Sequence, residues 1–348
     1  MRAISAADAI SPAVQRTKEF LFRPFTWGTF LKLGLVALIT EGLGSNLRSS
    51  THGGGAPSSS HGPMIHSPLD LPPGWIAAIA AIALTAIVVA VVLFYLVTRL
   101  RFAFFHCLVH NTKEIRPGWR LYSSQAMRFF WLNLAVGLCY LLLVGLIAIP
   151  FAAGFWRLFH ETPPGGSPNI VMMLSLILPA LPIILLLAVT AVALDIILRD
   201  WMLPHIALED ATAGEAWGSV WARIKAEKRQ FFVYALLRVI LPTIASIAAF
   251  MVLLIPGLVL AAAVAAVELG IHSGFANSTG AATVAGVLLQ VFFGLVALGF
   301  ALLASICLGG PLSTGLREYA LLFYGGRYQV LGNLLYPPSP VVPQAASI

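Results

Sequence analysis

The feature that most constrains this chain is a run of 24 residues without a charge, Trp75 to Thr98. As an α-helix the run is about 36 Å long, which exceeds the roughly 30 Å of hydrocarbon in a bilayer. Only 10% of the residues are Asp, Glu, Lys or Arg, and 59% are hydrophobic. Soluble domains carry roughly 25% charged residues. We therefore predict an all-α, polytopic membrane protein.

Hydropathy divides the chain into six predicted transmembrane helices in a single membrane domain, 1–348. The fifth is too long for one straight crossing, so we expect a kink near Pro256, and a split there leaves a seven-span alternative open. Gly309-Gly310-Pro311 is predicted to end the last span. Residues 48–74 are predicted to form a flexible outer loop, and residues 325–348 an irregular tail. The predicted spans are 26–47, 75–98, 129–156, 170–194, 231–267 and 281–308.

The basic residues orient these spans. With the N-terminus inside, 19 of the 21 Lys and Arg residues lie on or near the inner side, and only Arg48 and Arg157 lie outside. This bias predicts that both termini are cytoplasmic. We assign the net charge of +7 to contact with anionic lipid head groups rather than nucleic acid, because no nucleic-acid-binding motif accompanies it. The N-terminal segment lacks the apolar core of a cleavable signal peptide, so none is expected.

Two inner connections resemble each other. RFAFFHCLVHNTKEIRPGW follows the second span and RDWMLPHIALEDATAGEAW follows the fourth, and in each the opening arginine lies 18 positions before a tryptophan. We predict three copies of one unit: an amphipathic helix in the plane of the cytoplasmic surface, a span outward and a span back. The alternative is that inner loops of membrane proteins are commonly basic and aromatic.

A resemblance to a known family rests on three segments: AVQRTKEFLFRPFTWGTFLKLGLVALI, RLRFAFFHCLVHNTKEIRPGWRLY and LPHIALEDATAGEAW. They resemble an uncharacterised family of bacterial six-span membrane proteins, whose layout is similar to the membrane domain attached to some glycerophosphoryl diester phosphodiesterases. The resemblance covers most of the chain and implies a six-helix fold in the bacterial cytoplasmic (inner) membrane. It implies no phosphodiesterase activity, because the chain has no room for the soluble barrel that carries that catalysis.

Charged side chains inside or beside the predicted spans are costly to bury and are candidates for function. We place Glu41 in the outer third of the first span. Asp195 and Arg199 are four residues apart and share a helical face, which favours a structural ion pair over a proton or ligand site. The candidate polar site consists of Glu41, Asp195, Arg199, His205, Glu209, Asp210 and Arg238.

His205 and Glu209 also have the i to i+4 spacing of two ligands to one metal ion. A metal site would need a distant partner such as His106 or His110, and no HEXXH motif is present. We therefore favour a structural role and predict no bound metal.

Thr212 and Glu215 have the form of a capping box, which would start a new helix after Pro204 has ended the fourth span. Tryptophans and basic residues follow the cap. Such a composition is typical of a helix on a membrane surface, because indole rings prefer the head-group level and Lys and Arg reach anionic lipid. The candidate lipid-facing residues are Arg101, Arg116, Trp119, Arg120, Trp217, Trp221, Lys225, Lys228 and Arg229.

No nucleophile elbow, Walker A loop, dinucleotide-binding motif or HEXXH motif is present, so we predict no catalytic residues, no cofactor and no enzyme activity. The leading hypothesis is a non-catalytic protein that binds or organises membrane lipid, a partner protein or a second copy of itself. The alternative is a transporter of small solutes or lipids. Transport predicts that Glu41, Asp195 and Arg238 line one water-filled cavity, whereas a lipid-organising protein predicts that these groups are paired.

Overall fold

The computed structural model describes residues 4–42, 73–161, 170–275 and 281–336, and every regular element within these ranges is helical. The predicted all-α class is confirmed for this part of the chain. Two π-helical segments, Leu38–Gly42 and Ile197–Met202, extend α2 and join α6 to α7. The α-helices are α1 Ile10–Phe22, α2 Trp27–Ala37, α3 Pro73–Val109, α4 Ile115–Leu121, α5 Ser123–Glu161, α6 Ile170–Ile196, α7 Leu203–Leu208, α8 Ala213–Ala226, α9 Lys228–Phe275, α10 Ala281–Gly325 and α11 Gln329–Leu335.

Five helical segments in the described residues are long and apolar enough to cross a membrane. They lie in α3, α5, α9, α10 and the continuous path from α6 to α7. Large apolar side chains are exposed along them, for example Ile82, Leu146 and Leu185. In water such surfaces would be unfavourable, whereas in a bilayer they contact acyl chains. The protein is therefore an integral membrane protein.

These helices are longer than a bilayer requires. The 37 residues of α3 and the 48 residues of α9 correspond to about 55 Å and 72 Å of helix. The buried residues are concentrated at one end of the helices: from Thr98 onward in α3, and in the last turns of α10. We call this packed end the basal core. Its fully buried large side chains include Phe20, Leu33, Phe102, Phe104, Phe105, Leu108, Phe129, Tyr234, Tyr319, Phe323 and Tyr324.

Both ends of the described chain lie at the basal core. Arg327 donates from Nη1 to the carbonyl of Ile4 at 3.0 Å. Lys113, in the connection between α3 and α4, donates to the carbonyl of Pro24 at 2.8 Å. The short helices α1, α4 and α11 and the α3–α4 connection are therefore all part of this end of the molecule.

The first predicted span is different in the structure. Helix α2 and its π-helical extension cover 27–42, pack against α10 in the basal core, and are not among the five long apolar helices. Glu41 lies beside Arg199, the arginine that marks the inner end of the fourth predicted span. Its predicted position in the outer third of a membrane span is therefore wrong. Residues 43–47 of the predicted span lie outside the described residues.

The predicted stop at Gly309-Gly310-Pro311 is also wrong, because α10 continues to Gly325. The glycines instead allow α10 to approach α2 closely. A Cβ atom on Gly310 would lie 2.6 Å from the Cα atom of Gly34, and one on Gly309 would lie 2.8 Å from the Leu38 side chain. Small residues at such crossings let two helix backbones come into direct contact.

Other predicted boundaries changed because helices continue past the ends of the apolar runs. Pro256 lies inside the uninterrupted helix α9, so the split required by seven spans is absent. Pro204 lies in the first turn of α7, where its missing N–H is tolerated, and does not end the helical path. The tail predicted to be irregular contains helix α11, while its residues 337–348 lie outside the described residues. The predicted outer loop also lies outside the described residues, except for 73–74, where α3 begins.

The two similar inner connections have similar backbone geometry. Each contains a residue with a left-handed backbone, Asn111 and Asp210, both at φ 53° and both two residues after a helix that ends at Val109 or Leu208. Asn and Asp tolerate this conformation better than other non-glycine residues. A short helix, α4 or α8, then leads directly into a long helix, α5 or α9.

The contact between α2 and α10 can be tested with one methyl group. We expect Gly310→Ala to destabilise the protein by about 1–3 kcal/mol, because the new Cβ overpacks the crossing at Gly34. The matched control is Gly299→Ala in the same helix, where a Cβ meets nothing within 4 Å. Alanine favours helix at both positions, so the control should be neutral or stabilising. The measurement is the thermal unfolding midpoint in detergent, and equal midpoints for the two variants would contradict the close crossing.

Candidate functional site

The π-helical segment between α6 and α7 places two adjacent charged residues inside the protein. Arg199 and Asp200 are 5% and 1% exposed, and the neighbouring Leu198, Trp201 and Met202 are buried as well. A π-helical turn holds one more residue than an α-helical turn and is often found at functional sites. Here it allows five consecutive side chains to pack into the basal core.

Asp200 binds three side chains from two other helices. Tyr234 and Arg238 of α9 donate to Oδ2 at 2.8 Å and 3.0 Å, and Arg317 of α10 donates to Oδ1 at 3.1 Å. Arg317 also donates to the carbonyl of Arg199 at 2.9 Å. One buried carboxylate therefore connects the π-helical segment after α6 with α9 and α10.

Glu41 extends this network to the end of α2. Its carboxylate pairs with Arg199 and, at 3.1 Å, with Arg238. Asp195 lies 3.7 Å from Arg199, as the i to i+4 spacing predicts, and its side chain is 37% exposed. Three guanidinium groups thus face three carboxylates. We call Glu41, Asp195, Arg199, Asp200, Tyr234, Arg238 and Arg317 the ion network.

The ion network holds distant segments of the chain together. Buried charges are costly unless each has a partner, and these are paired across four segments of the chain. Glu41 and Arg238 are bound to each other. Asp195 lines a separate cleft of about 300 Å³ between α5 and α6, together with Asn133 and Tyr140. Glu41 and Arg238 do not line this cleft.

His205 and Glu209 belong to a second cluster. His205 is 1% exposed; its Nδ1 lies 2.9 Å from Glu209 and its Nε2 lies 2.8 Å from the hydroxyl of Tyr324. The ring of Tyr328 packs on the imidazole at 4.1 Å, and Arg223 of α8 lies 5.3 Å from the Tyr328 ring centre. Burial alone would raise the pKa of Glu209. Hydrogen bonds from His205 and Tyr328 lower this pKa by more, so it is below the ordinary value.

The proposed metal partners of His205 lie in other contacts. His106 and His110 pack against each other at 4.5 Å, and His106 also contacts Tyr122. Within the described ranges, no group of three or more His, Cys, Asp or Glu side chains is arranged to hold a metal ion. His205 thus links α7 to Tyr324 near the end of α10.

Asp210 lies apart from both clusters. It forms an ion pair with Arg128 at 2.7 Å, and both side chains are about half exposed. The adjacent capping box is present as predicted: Thr212 accepts from the N–H of Glu215, and Glu215 accepts from the N–H of Thr212 at 2.8 Å. This backbone hydrogen bond lowers the pKa of Glu215. Its contribution to helix stability is therefore complete above its ordinary pKa, roughly 4.3, and is lost as the pH falls through the lower folded pKa.

Helix α8 has one face in the basal core and one at the surface. Ala216 and Val220 are buried, whereas Trp217 and Trp221 are 43% and 44% exposed and stack at 6.0 Å with a 9° angle between the rings. Lys225 lies 5.6 Å from the Trp221 ring centre. The next two basic residues, Lys228 and Arg229, are exposed at the start of α9.

The other candidate lipid-facing residues divide into two groups. Arg116 and Arg120 of α4 are exposed, and Trp119 is half-buried, with Arg99 4.7 Å from its ring centre. Arg101 does not belong with them. It donates from Nε to the carbonyl of Thr40 at 3.1 Å and so contributes to the packing of α3 against the end of α2.

The sequence reasoning missed two central members of the ion network, Asp200 and Arg317. Neither residue is in the candidate polar site, and Arg317 lies beyond the last predicted span. An available signal was the charge pair Arg199-Asp200 itself, because adjacent residues on an α-helix point in different directions and two buried charges there require partners from elsewhere.

The comparisons with known proteins define a family and no activity. The model of a family of unknown function, DUF7544, matches residues 4–334. The chain belongs to this family. The matched region includes every residue of the ion network and both surface helices, α4 and α8. No curated protein and no solved structure matches the chain.

The ion network predicts that substitutions of two aspartates have unequal effects on stability. Asp200→Asn keeps the shape but leaves Arg317 without its carboxylate and Arg238 with Glu41 alone, so we expect a loss of about 3–5 kcal/mol and little folded protein after detergent extraction. Asp210→Asn breaks an exposed pair and should cost about 1 kcal/mol or less. The measurements are the monodisperse fraction by size exclusion and the unfolding midpoint. Equal stability of the two variants would show that the ion network does not hold the helices.

The capping box predicts a local effect. Thr212→Ala removes the side-chain acceptor at the start of α8 and should destabilise this helix by about 1 kcal/mol, or about fivefold in the opening equilibrium. Hydrogen exchange measured by mass spectrometry in nanodiscs should show faster exchange over the first turns of α8. Thr85→Ala, in the middle of α3, is the control and should leave α8 unchanged.

Proposed function

We propose that this chain is a non-catalytic protein of the bacterial cytoplasmic membrane that binds and organises anionic lipid on the cytoplasmic side. The observation that carries this proposal is the stacked, exposed pair of Trp217 and Trp221 with Lys225 beside it. Two indole rings on one helix face, next to a run of basic residues, match the chemistry of the lipid head-group layer.

The basal core supports this assignment because it holds α8 in place. Arg223 donates to the carbonyl of Arg327 at 3.3 Å and to that of Ser219 at 2.9 Å, while Ala216 and Val220 pack inside. The tryptophans on the other face remain exposed even though α8 is firmly attached. Exposure of large apolar rings on an anchored helix is typical of a surface that contacts another phase or partner.

We also propose six crossings with both termini cytoplasmic. Arg101 of α3 contacts Thr40, while Pro73 begins the same helix about 40 Å away. Ile4 and Arg327 meet at the basal core. Five of the six predicted spans coincide with the long apolar helices, and residues 43–47 of the first predicted span lie outside the described residues. The matching connections at α4 and α8 support three copies of one unit.

Transport is the alternative, and one observation favours it. The cleft at Asp195 contains three polar lining residues, Asn133, Tyr140 and Asp195, lies between two apolar helices and adjoins the ion network through Arg199. However, Glu41 and Arg238 are paired and buried away from this cleft. Solute uptake by proteoliposomes that depends on Asp195 would replace the lipid-organising proposal with transport.

The lipid proposal can be tested by tryptophan quenching. In proteoliposomes with brominated phosphatidylglycerol, we expect fluorescence quenching that Trp217→Phe together with Trp221→Phe reduces, because these rings lie at the head-group layer, while the quenching of Trp131 remains. Brominated phosphatidylcholine should quench the pair less. Neutralising Lys225, Lys228 and Arg229 with glutamine should abolish the difference, since each basic residue near an anionic surface contributes about 1 kcal/mol.

Two tryptophans provide the controls. Trp131 is 61% exposed within a predicted span and should be quenched equally by both lipids, whereas Trp201 is 4% exposed and should not be quenched. If the Trp217 and Trp221 double variant is quenched as strongly as the unmodified protein, α8 does not contact lipid and the proposal fails.

A further inference from the structure

An apolar groove of about 350 Å³ lies between α1 and α9, with α10 as its floor. Its walls are formed by Val14 and Phe22 of α1 and by Leu241 and Ala245 of α9. Its volume is at the lower end of the range for small-ligand sites. Leu241 and Ala245 lie within the predicted fifth span, so one wall of the groove is at membrane depth.

The groove has one cationic residue in its lining, Lys18. Lys18 is exposed and forms no ion pair with the described part of the chain, whereas Arg16 on the same helix pairs with the buried Glu318 at 3.2 Å. Tyr319 also lines the groove, and its buried hydroxyl has no hydrogen-bond partner among the described residues. An apolar channel with an unpaired cation complements an amphiphile with an anionic head.

We infer that this groove holds one acyl chain of an anionic phospholipid, with the phosphate at Lys18. The chain would lie along Leu241 and Ala245, where the apolar lining of the groove replaces the acyl-chain surroundings of the bilayer. The inference rests on the proposed lipid-binding function but names a different site. The α8 surface contacts the bulk head-group layer, whereas the groove retains a single molecule.

Native mass spectrometry of the full chain in mild detergent tests this site, with a two-chain C18 phosphatidylglycerol titrated in competition with the matching phosphatidylcholine. The unmodified protein should retain one phosphatidylglycerol with about tenfold preference. Ala245→Phe fills the groove and should remove this bound lipid. The matched control, Ala248→Phe, places the same ring on an exposed face of α9 and should keep it.

Lys18→Gln provides a second test that does not depend on core packing. Because Lys18 is exposed, this variant should fold, keep the lipid site and lose most of the preference for phosphatidylglycerol. Retained preference in Lys18→Gln, or lipid retention in Ala245→Phe equal to that in Ala248→Phe, would overturn the inference. Preferential retention of free fatty acid over phosphatidylglycerol would overturn it too.

The proposals for the α8 surface and for the groove can be contradicted independently of each other. The variant with Trp217→Phe and Trp221→Phe should keep the retained phosphatidylglycerol, because those residues do not line the groove. If the quenching experiment fails while this lipid stays bound, the proposed α8 surface is wrong and the groove stands. If quenching succeeds and the groove variants have no effect, the groove alone is wrong.

Discussion

The buried carboxylate of Asp200 is the interaction on which the arrangement of the helices depends. It receives hydrogen bonds from Tyr234, Arg238 and Arg317, and through Arg238 it is linked to Glu41. In a bilayer, apolar surfaces gain nothing from leaving lipid for one another, so the exposed apolar halves of the long helices do not define a unique arrangement. Paired charges and close backbone contacts in the basal core do, because alternative arrangements leave ions without partners.

The local features of this fold could be predicted from the sequence, and the reasons are physical. Apolar runs identify segments that cross a membrane, four-residue spacing identifies the ion pair of Asp195 and Arg199, and the spacing of Thr212 and Glu215 identifies a helix start. Each depends on neighbours within one or two helical turns. The outcome at these positions is independent of which distant helix packs nearby.

The remaining features depend on partners far along the chain. Arg317 binds Asp200, which lies 117 positions away, and the residues around each of them do not identify the other as its partner. The glycines at 309 and 310 were ambiguous for another reason. A missing side chain suits both the end of a helix and a close approach between two helices, and only the presence of Gly34 on the facing helix decides between them.

The basal core and the α8 surface are mechanically connected. Arg223 reaches from α8 to the segment between α10 and α11, and Arg327 in that segment binds Glu227 at 2.8 Å and the carbonyl of Ile4. Arg223 also lies 3.3 Å from Nε2 of His205, so α8 is connected both to the first and last described segments and to the His205 cluster. The surface that is proposed to contact lipid is therefore linked by side-chain contacts to the basal core.

The π-helical segment Ile197–Met202 has a consequence for how one helical path meets two environments. An extra residue in the turn advances the following residues by about 100° relative to a regular α-helix. The side of α6 that faces acyl chains is therefore not continued along the same line in α7. In α7 all of the following residues are enclosed by protein: Leu203, Pro204, His205, Ile206 and Ala207. The π-helical segment therefore joins a helix that faces lipid to a helix that is enclosed by protein. The extra residue in its turn allows one continuous helical path to lie in both environments.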